Sequence, residues 1–165
     1  MKKSCLLVLL VVAVPLVFAT ETKPSPCEKG AYRQFDFWLG EWAVELKDGK
    51  PAGKNRITRE NKCLILEQWQ SIRGGKGSSV NYYNPKKQQW VQHWIDDSSI
   101  IHLHGNLRDG SMILEGTILD IGSGELSPLK GSWMPLPGGR VRQYFEQKQD
   151  GKWQPWFEGF YKKVK

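Results

Sequence analysis

The chain has 165 residues and a formal net charge of +7, and its length suits one domain with one core. The basic residues are scattered and cluster only at the end of the chain, at Lys162, Lys163 and Lys165. This charge pattern favours solubility and weak attraction to anions, and it excludes nucleic acid as an expected partner.

The first predicted element is a cleavable secretion signal at residues 1–19. Two lysines precede an apolar run from Leu6 to Phe18, and Val17 and Ala19 suit the peptidase site, so cleavage is expected after Ala19. The run is shorter than the about 20 apolar residues that a spanning helix needs. We therefore expect a secreted or periplasmic protein with no stable membrane insertion after signal cleavage; a retained anchor is the alternative.

Residues 20–34 form a predicted N-terminal extension that is tied to the rest of the chain by a disulfide. Removal of the signal also removes Cys5, which leaves Cys27 and Cys63 in an oxidising compartment. A disulfide between them is worth roughly 3 to 4 kcal/mol in the chain-entropy model. Two free buried thiols are the alternative.

The stretch FDFWLGEW, from Phe35 to Trp42, opens the remaining domain, residues 35–165. Its bulky residues are expected to form a short helical turn that plugs one end of a barrel, and direct ligand contact is the alternative. Gly40 lets the backbone bend sharply into the first strand. Asp36 is expected to cap the free amides of the turn, and Glu41 to face water or a basic side chain.

Alternating apolar residues, interrupted by turn-forming Gly, Pro, Asn and Asp at intervals of roughly eight to twelve residues, predict successive antiparallel strands joined by hairpins. The predicted strands are Glu41 to Lys47, Lys54 to Glu60, Cys63 to Ile72, Lys76 to Tyr83, Gln88 to Ile95, Ser99 to Leu107, Ser111 to Asp120, Leu129 to Met134, Arg140 to Lys148 and Lys152 to Val164.

Nothing between these strands suits a crossover helix, so they are expected to form an up-and-down meander. Closing the meander into a barrel removes its two exposed edges. Eight to ten strands enclose room for side chains and one small ligand. The sequence therefore predicts an all-β fold, an up-and-down antiparallel β-barrel of about ten strands; a two-sheet sandwich is the alternative.

The triplet Gly40-Glu41-Trp42 at the start of this meander resembles the G-x-W signature of lipocalins and other calycins. The ordered set FDFWLGEW, CLILEQW, GKGSSVNYYN, QQWVQHWID and DGKWQPWFEGFY resembles the bacterial family of unknown function DUF1579, from Phe35 to Tyr161. This resemblance implies a lipocalin-like barrel and brings no settled activity with it.

Strand alternation places polar and aromatic side chains on shared faces that are expected to point inward. The candidate ligand-binding residues are Glu67, Trp69, Asn81, Tyr83, Gln92, Trp94 and Arg142. Glu67 and Arg142 are the expected charged pair. A buried polar group without a partner costs roughly 1 to 3 kcal/mol, so converging polar groups predict a network or a ligand site. Outward orientation of these faces is the alternative.

Metal and catalytic chemistry find little support in the sequence. His93, His102 and His104 alternate in neighbouring strands, but no cysteine or carboxylate completes a zinc or haem ligand spacing, so outward orientation and no metal or cofactor are expected. The chain has no G-x-S-x-G elbow and no phosphate-binding glycine loop. Glu67 with Glu158 is the candidate carboxylate pair for glycoside cleavage, and no catalytic residue is assigned.

These observations favour a secreted lipocalin-like protein that binds a small, partly apolar ligand of unknown identity inside its barrel. One alternative is a hydrolase or isomerase that uses Glu67 or a histidine as its base. The other alternative is an envelope interaction module with a filled barrel. A fully packed interior would favour that last alternative.

Overall fold

A computed structural model of the chain describes residues 24–164, so the predicted signal at residues 1–19 lies outside the described residues. The ten strands are β1 (Gly40–Glu45), β2 (Pro51–Asn61), β3 (Leu64–Ser71), β4 (Lys76–Asn84), β5 (Gln89–Asp96), β6 (Ser99–Arg108), β7 (Ser111–Asp120), β8 (Leu126–Leu136), β9 (Arg140–Gln149) and β10 (Lys152–Lys163). Each strand pairs with its sequence neighbours, and β1 pairs with β10 to close the barrel. The predicted all-β, up-and-down barrel is confirmed.

Tight hairpins fix the register of the sheet. The β6–β7 hairpin turns at Asp109 and Gly110, whose φ angles of 48° and 77° suit the type I′ turn that matches the twist of antiparallel strands. The same Asp-Gly arrangement connects β9 to β10 at Asp150 and Gly151, with φ angles of 49° and 77°. These turns lie where the sequence predicts them.

The eighth strand extends beyond its predicted bounds of Leu129 to Met134, since it runs from Leu126 to Leu136. The stretch IGSGELSP, from Ile121 to Pro128, predicted a turn because glycine tolerates positive φ angles and proline fixes φ. In the structure Pro128 pairs with Thr117 of β7, and Ser127 and Leu129 on either side of it are buried. Inward alternation therefore continues through the proline.

The N-terminal segment forms three short 3-10 helices, at Pro26–Glu28, Gly30–Arg33 and Asp36–Trp38. A disulfide joins Cys27 in the first of them to Cys63, in the turn between β2 and β3. The predicted disulfide is thus present, and it fastens this segment to one end of the barrel. Among residues 24–164, no helix has the length and apolar character required to cross a membrane.

The predicted aromatic plug is also confirmed. Phe35 and Trp38 are completely buried and stack with ring centroids 4.9 Å apart, while Phe35 packs edge to face against Trp133 at 5.4 Å. The indole of Trp42 donates a hydrogen bond of 2.9 Å to the carbonyl oxygen of Trp38. Gly40 has a φ of 141°, a conformation that glycine tolerates and that carries the chain from the plug into β1.

The predicted partners of the two acids in this stretch, Asp36 and Glu41, were wrong for the first and right for the second. Asp36 makes no capping hydrogen bond to its helix; its carboxylate pairs with Arg33 at 2.5 Å and with Arg59. The capping role predicted for Asp36 is therefore wrong, because two guanidinium groups provide stronger partners than backbone amides. Glu41 faces the exposed Arg56, as expected, with 3.8 Å between Oε1 and Nε.

Candidate functional site

Glu67 lies on the inner face of β3 with only 3% of its surface exposed. Nδ2 of Asn55 donates to its Oε1 at 2.7 Å, and Oγ of Ser79 donates to its Oε2 at 2.6 Å. Within residues 24–164, no Lys, Arg or His forms an ion pair with this carboxylate. Neutral side chains alone therefore satisfy a buried acid.

Further hydrogen bonds extend this arrangement around the barrel. Oγ of Ser79 accepts from Nδ2 of Asn81 at 2.8 Å, and Nε2 of Gln92 donates to Oδ1 of Asn81 at 2.9 Å. In the other direction, Nδ2 of Asn55 donates to the hydroxyl of Tyr161 at 3.3 Å, and that hydroxyl donates to Oε1 of Gln143. We call this set the polar belt; its members are Asn55, Glu67, Ser79, Asn81, Gln92, Gln143 and Tyr161.

The polar belt occupies one side of the interior. Its residues come from β2, β3, β4, β5, β9 and β10. The inner faces of β6, β7 and β8 are mainly apolar and contribute the buried side chains Ile101, Leu103, Leu114 and Leu129; their buried polar residues are serines at or next to the strand starts, Ser99, Ser111 and Ser127. The interior is therefore two-sided, with hydrogen-bonding groups facing an aliphatic wall.

Burial governs the titration of the two acidic groups in the belt. It raises the pKa of Glu67 to about 7, although the hydrogen bonds from Ser79 and Asn55 act in the opposite direction. Burial, together with the nearby charge of Glu67, raises the pKa of Tyr161 well above its ordinary value. The hydroxyl of Tyr161 therefore stays protonated and donates a hydrogen bond to Gln143. The carboxyl group of Glu67, in contrast, ionises near neutral pH.

A cavity of about 140 Å³ lies beside the belt. Glu67, Gln92, Gln143 and Tyr161 provide its polar surface, and Asp96 lies at its rim. Most of the remaining lining is aromatic and consists of Trp69, Trp94, Phe145, Trp156 and Phe157. An unfilled space with a few polar groups and a mainly apolar lining has the composition of a small-molecule site.

Inner-face glycines decide how the aromatic rings line this cavity. A Cβ atom at Gly77 would lie 2.2 Å from the ring of Trp94, and one at Gly53 would lie 2.6 Å from the ring of Trp69. Each indole therefore lies flat over a glycine and against the wall. Two further pairs with this arrangement are Phe145 over Gly131 and Phe157 over Gly159.

A β-bulge in β10 adds another ring to the lining. The register with β9 shifts between Pro155 and Phe157, so Trp156 has no paired residue there. A bulge interrupts the regular alternation of a strand, and as a result the consecutive residues Trp156 and Phe157 both line the cavity. Trp156 packs edge to face on Phe145 with ring centroids 5.8 Å apart.

Six of the seven predicted ligand-binding residues belong to strand faces that point into the barrel. Glu67, Trp69, Gln92 and Trp94 line the cavity. Asn81 is completely buried in the polar belt and supports Ser79 and Gln92. The sixth residue, Tyr83, lies nearer the plug, where it packs on Tyr32 and Trp90.

Arg142 lies elsewhere, and the predicted Glu67–Arg142 pair is wrong. Its neighbours Val141 and Gln143 are buried, as is Phe145, and this alternation turns Arg142 to the outer face. There its Nη2 lies 2.6 Å from Oε1 of Glu158. Because Glu158 is held outside and Glu67 inside, the two carboxylates do not form the pair needed for glycoside cleavage.

Four members of the polar belt are absent from the residues predicted from the sequence, namely Asn55, Ser79, Gln143 and Tyr161. Asn55 alternates with the outward charges of Lys54 and Arg56 and has the buried Ile57 two residues along. Gln143 lies in the same way between Val141 and Phe145. A polar residue flanked two positions away by buried apolar residues was the available signal.

The histidines lie on the outer face, as expected. His93 and His102 approach each other with ring centroids 4.6 Å apart, and His104 is exposed. Partial burial, followed by the charge of His102, lowers the pKa of His93. Within the described part of the chain, no cluster of three His, Cys, Asp or Glu side chains is suited to hold a metal ion.

In the comparisons with known proteins, no family model matches this chain, and no curated protein sequence matches it. Membership of the family DUF1579 therefore stays a prediction. The geometry of the barrel carries the functional argument.

Proposed function

We propose that this protein binds a small, partly apolar molecule in the cavity beside Glu67. The observation that carries the proposal is the meeting of the polar belt with aromatic walls around about 140 Å³ of space. A cavity of about 150 Å³ is large enough to hold benzene. A ligand with about one ring and one polar group matches this volume and lining.

The interior contains two features that lower the stability of the barrel, the cavity and the buried acid, and both support the same proposal. A cavity reduces packing in proportion to its volume, and a buried acid without a charged partner is costly. Apolar side chains in place of Glu67 and Gln92 would be expected to give a more stable barrel. The unfilled space also speaks against an envelope interaction module with a filled barrel.

Native mass spectrometry of the protein purified from its own host tests the proposal directly. We expect a bound small molecule that is released when the protein unfolds. A protein that carries no such molecule, and that also fails to bind a fluorescent apolar probe, would contradict the proposal.

Substitutions distinguish residues that line the cavity from residues that only hold the lining residues in place. Gln92 lines the cavity, and Asn81 lies behind it in the polar belt. Gln92→Leu should therefore change both the stability of the protein and its affinity for the fluorescent apolar probe. Asn81→Leu should change the stability more than the affinity. His93→Leu, on the outer face of the same strand as Gln92, is the matched control and should leave affinity unchanged. Equal probe affinity in all three variants would remove Gln92 from the site.

A second candidate function is catalysis with Glu67 as general base. The raised pKa of about 7 suits a base that works near neutral pH. The histidines face outward, and Asp96, the other carboxylate of the lining, has a lowered pKa and is the weaker base. The test follows the retained ligand over time by mass spectrometry. Chemical change of the ligand in the wild type, and none with Glu67→Gln, would favour catalysis; an unchanged ligand in both would favour a carrier.

We also propose that the protein works outside the cytoplasm. The predicted signal and the disulfide between Cys27 and Cys63 support this location, since disulfides persist in oxidising compartments. Expression of the whole chain in a bacterial host should yield a periplasmic or secreted protein whose intact mass corresponds to a chain that starts at Thr20. A cytoplasmic protein that retains residues 1–19 would contradict the proposal.

A further inference from the structure

We infer that the cavity takes a small organic amine, whose ammonium group pairs with the carboxylate of Glu67 and whose apolar part lies among the aromatic rings. This assignment rests on the proposed binding function and adds the charge of the ligand to it.

The hydrogen bonds of Glu67 suit its ionised form. Both oxygens accept, from Asn55 at 2.7 Å and from Ser79 at 2.6 Å, and such short distances are typical of bonds to a carboxylate. An ionised carboxylate has about four acceptor positions. Asn55 and Ser79 occupy two of these positions. Because Glu67 lines the cavity, the other two acceptor positions are available to a ligand.

Charge complementarity then selects the ligand. The ionisable side chains that line the cavity are Glu67, Asp96 and Tyr161, and the described lining includes no Lys, Arg or His. A buried carboxylate without a cation carries an uncompensated desolvation cost. An ammonium group supplies the missing charge, whereas a carboxylate or phosphate ligand would be repelled.

Asp96 adds a second negative charge at the rim. Its Oδ1 accepts hydrogen bonds from the backbone amides of Ser98 and Ser99, at 2.8 and 2.6 Å. Burial raises the pKa of Asp96, but the hydrogen bonds from Ser98 and Ser99 outweigh burial and leave the pKa below its ordinary value. The cavity lining therefore carries a second acidic group besides Glu67, which favours a cation over an anion.

The aromatic lining accepts both parts of an amine. Ring faces attract cations, most strongly in tryptophan, and Trp69, Trp94 and Trp156 all line the cavity. The same rings provide apolar contact for the ligand's carbon skeleton. The volume of about 140 Å³ limits that skeleton to about one ring, so benzylamine is a suitable probe.

The experiment compares three probes of nearly equal size: benzylamine, the neutral benzyl alcohol and the anionic benzoate. Binding is measured by calorimetry and tryptophan fluorescence at pH 8 and low salt. We expect benzylamine to bind at least about tenfold more tightly than benzyl alcohol, and benzoate to bind most weakly. Benzyl alcohol binding as tightly as benzylamine would overturn the amine assignment and leave the binding function standing. Failure of all three, in a protein that also carries no host ligand, would overturn both.

Variants test whether the preference for benzylamine over benzyl alcohol comes from the charge of Glu67. Glu67→Gln keeps the shape and removes the charge, so the preference for benzylamine should disappear while benzyl alcohol binds as before. Glu158→Gln, on the outer face, is the control and should keep the preference. A Glu67→Gln protein that folds and retains the preference would overturn the assignment.

The pH profile of the wild type provides a test that needs no variant. Glu67 has a pKa of about 7, while Asp96 titrates below its ordinary range and Tyr161 well above its own; the side chains that contact Glu67 from β2 and β4, Asn55 and Ser79, do not titrate. Benzylamine affinity should therefore fall as the pH is lowered from 8 to 5, and benzyl alcohol affinity should not. Parallel profiles for the two probes would overturn the assignment.

Discussion

At the plugged end of the barrel, Trp38, Trp90 and Trp133 are almost completely buried and pack around Phe35, whereas at the open end Trp69 and Trp94 lie over glycines and border a cavity. Both ends use the same residue type. The difference shows that tryptophan fills a barrel where another large side chain meets it and lines the barrel where a glycine lies beneath it.

The two ends also differ in their rims. The turns and strand ends around the open end carry large apolar side chains with exposed fractions between 38% and 65%, namely Leu46, Ile72, Ile95, Ile121, Leu126, Trp153 and Trp156. The plug segment covers the other end with Phe35 and Trp38, and the disulfide fastens it. The exposed apolar surface therefore lies at the end of the barrel where the cavity lies.

The largest effect is expected from removing the plug. Trp38→Ala deletes a fully buried indole and should lower the free energy of unfolding by about 3 to 5 kcal/mol. Trp156→Ala, at the open end and 43% exposed, should lower it by less than about 1 kcal/mol. Urea denaturation measures both. Similar losses for the two variants would show that the ends are packed alike.

Loss of the disulfide should loosen the plugged end. Its sequence separation is 36 residues, for which the chain-entropy model gives about 3 to 4 kcal/mol. The double variant Cys27→Ser with Cys63→Ser should lose this much stability in urea denaturation. Reductant should destabilise the wild type and have no effect on the double variant; equal sensitivity of both would contradict the role of the bond.

Glu67 should make the barrel less stable as pH rises. Its pKa is higher in the folded chain, at about 7, than the ordinary value of 4.5, so the folded state binds the proton more tightly. The stabilisation is complete below about pH 4.5 and is lost as pH rises to about 7, which amounts to about 3 kcal/mol. Relative to Glu67→Gln, the wild type should lose stability over this range; a constant difference would contradict the raised pKa.

The smallest effect concerns the glycines of the open end. Gly77→Ala places a methyl group 2.2 Å from the ring of Trp94, which should push the indole into the cavity, lower stability by about 1 to 3 kcal/mol and weaken ligand binding. Gly75→Ala, whose added Cβ meets no atom closer than 4.0 Å, is the matched control. Unaltered probe affinity in Gly77→Ala would show that the ring does not need the glycine.

The sequence predicts the strands, the plug and the disulfide because each depends on local alternation, turn residues or cysteine count. It does not predict which face of β9 points inward, since both faces mix polar and aromatic residues: Arg142 and Tyr144 on one, Gln143 and Phe145 on the other. Barrel closure decides between them. The hydrogen bond between Asn55 and Tyr161 joins residues 106 positions apart, a contact that no local pattern encodes.

The seam between β1 and β10, where Trp42 pairs with Lys163, has a consequence for the order of assembly. Every other neighbouring pair of described strands is adjacent in sequence and can form as the chain lengthens. The seam has to wait for the final strand, and Tyr161 of that strand completes the hydrogen bonds around Asn55. Trp156, Phe157 and Tyr161 of β10 also line the cavity, so the proposed binding site is complete only when the last of the described strands is in place.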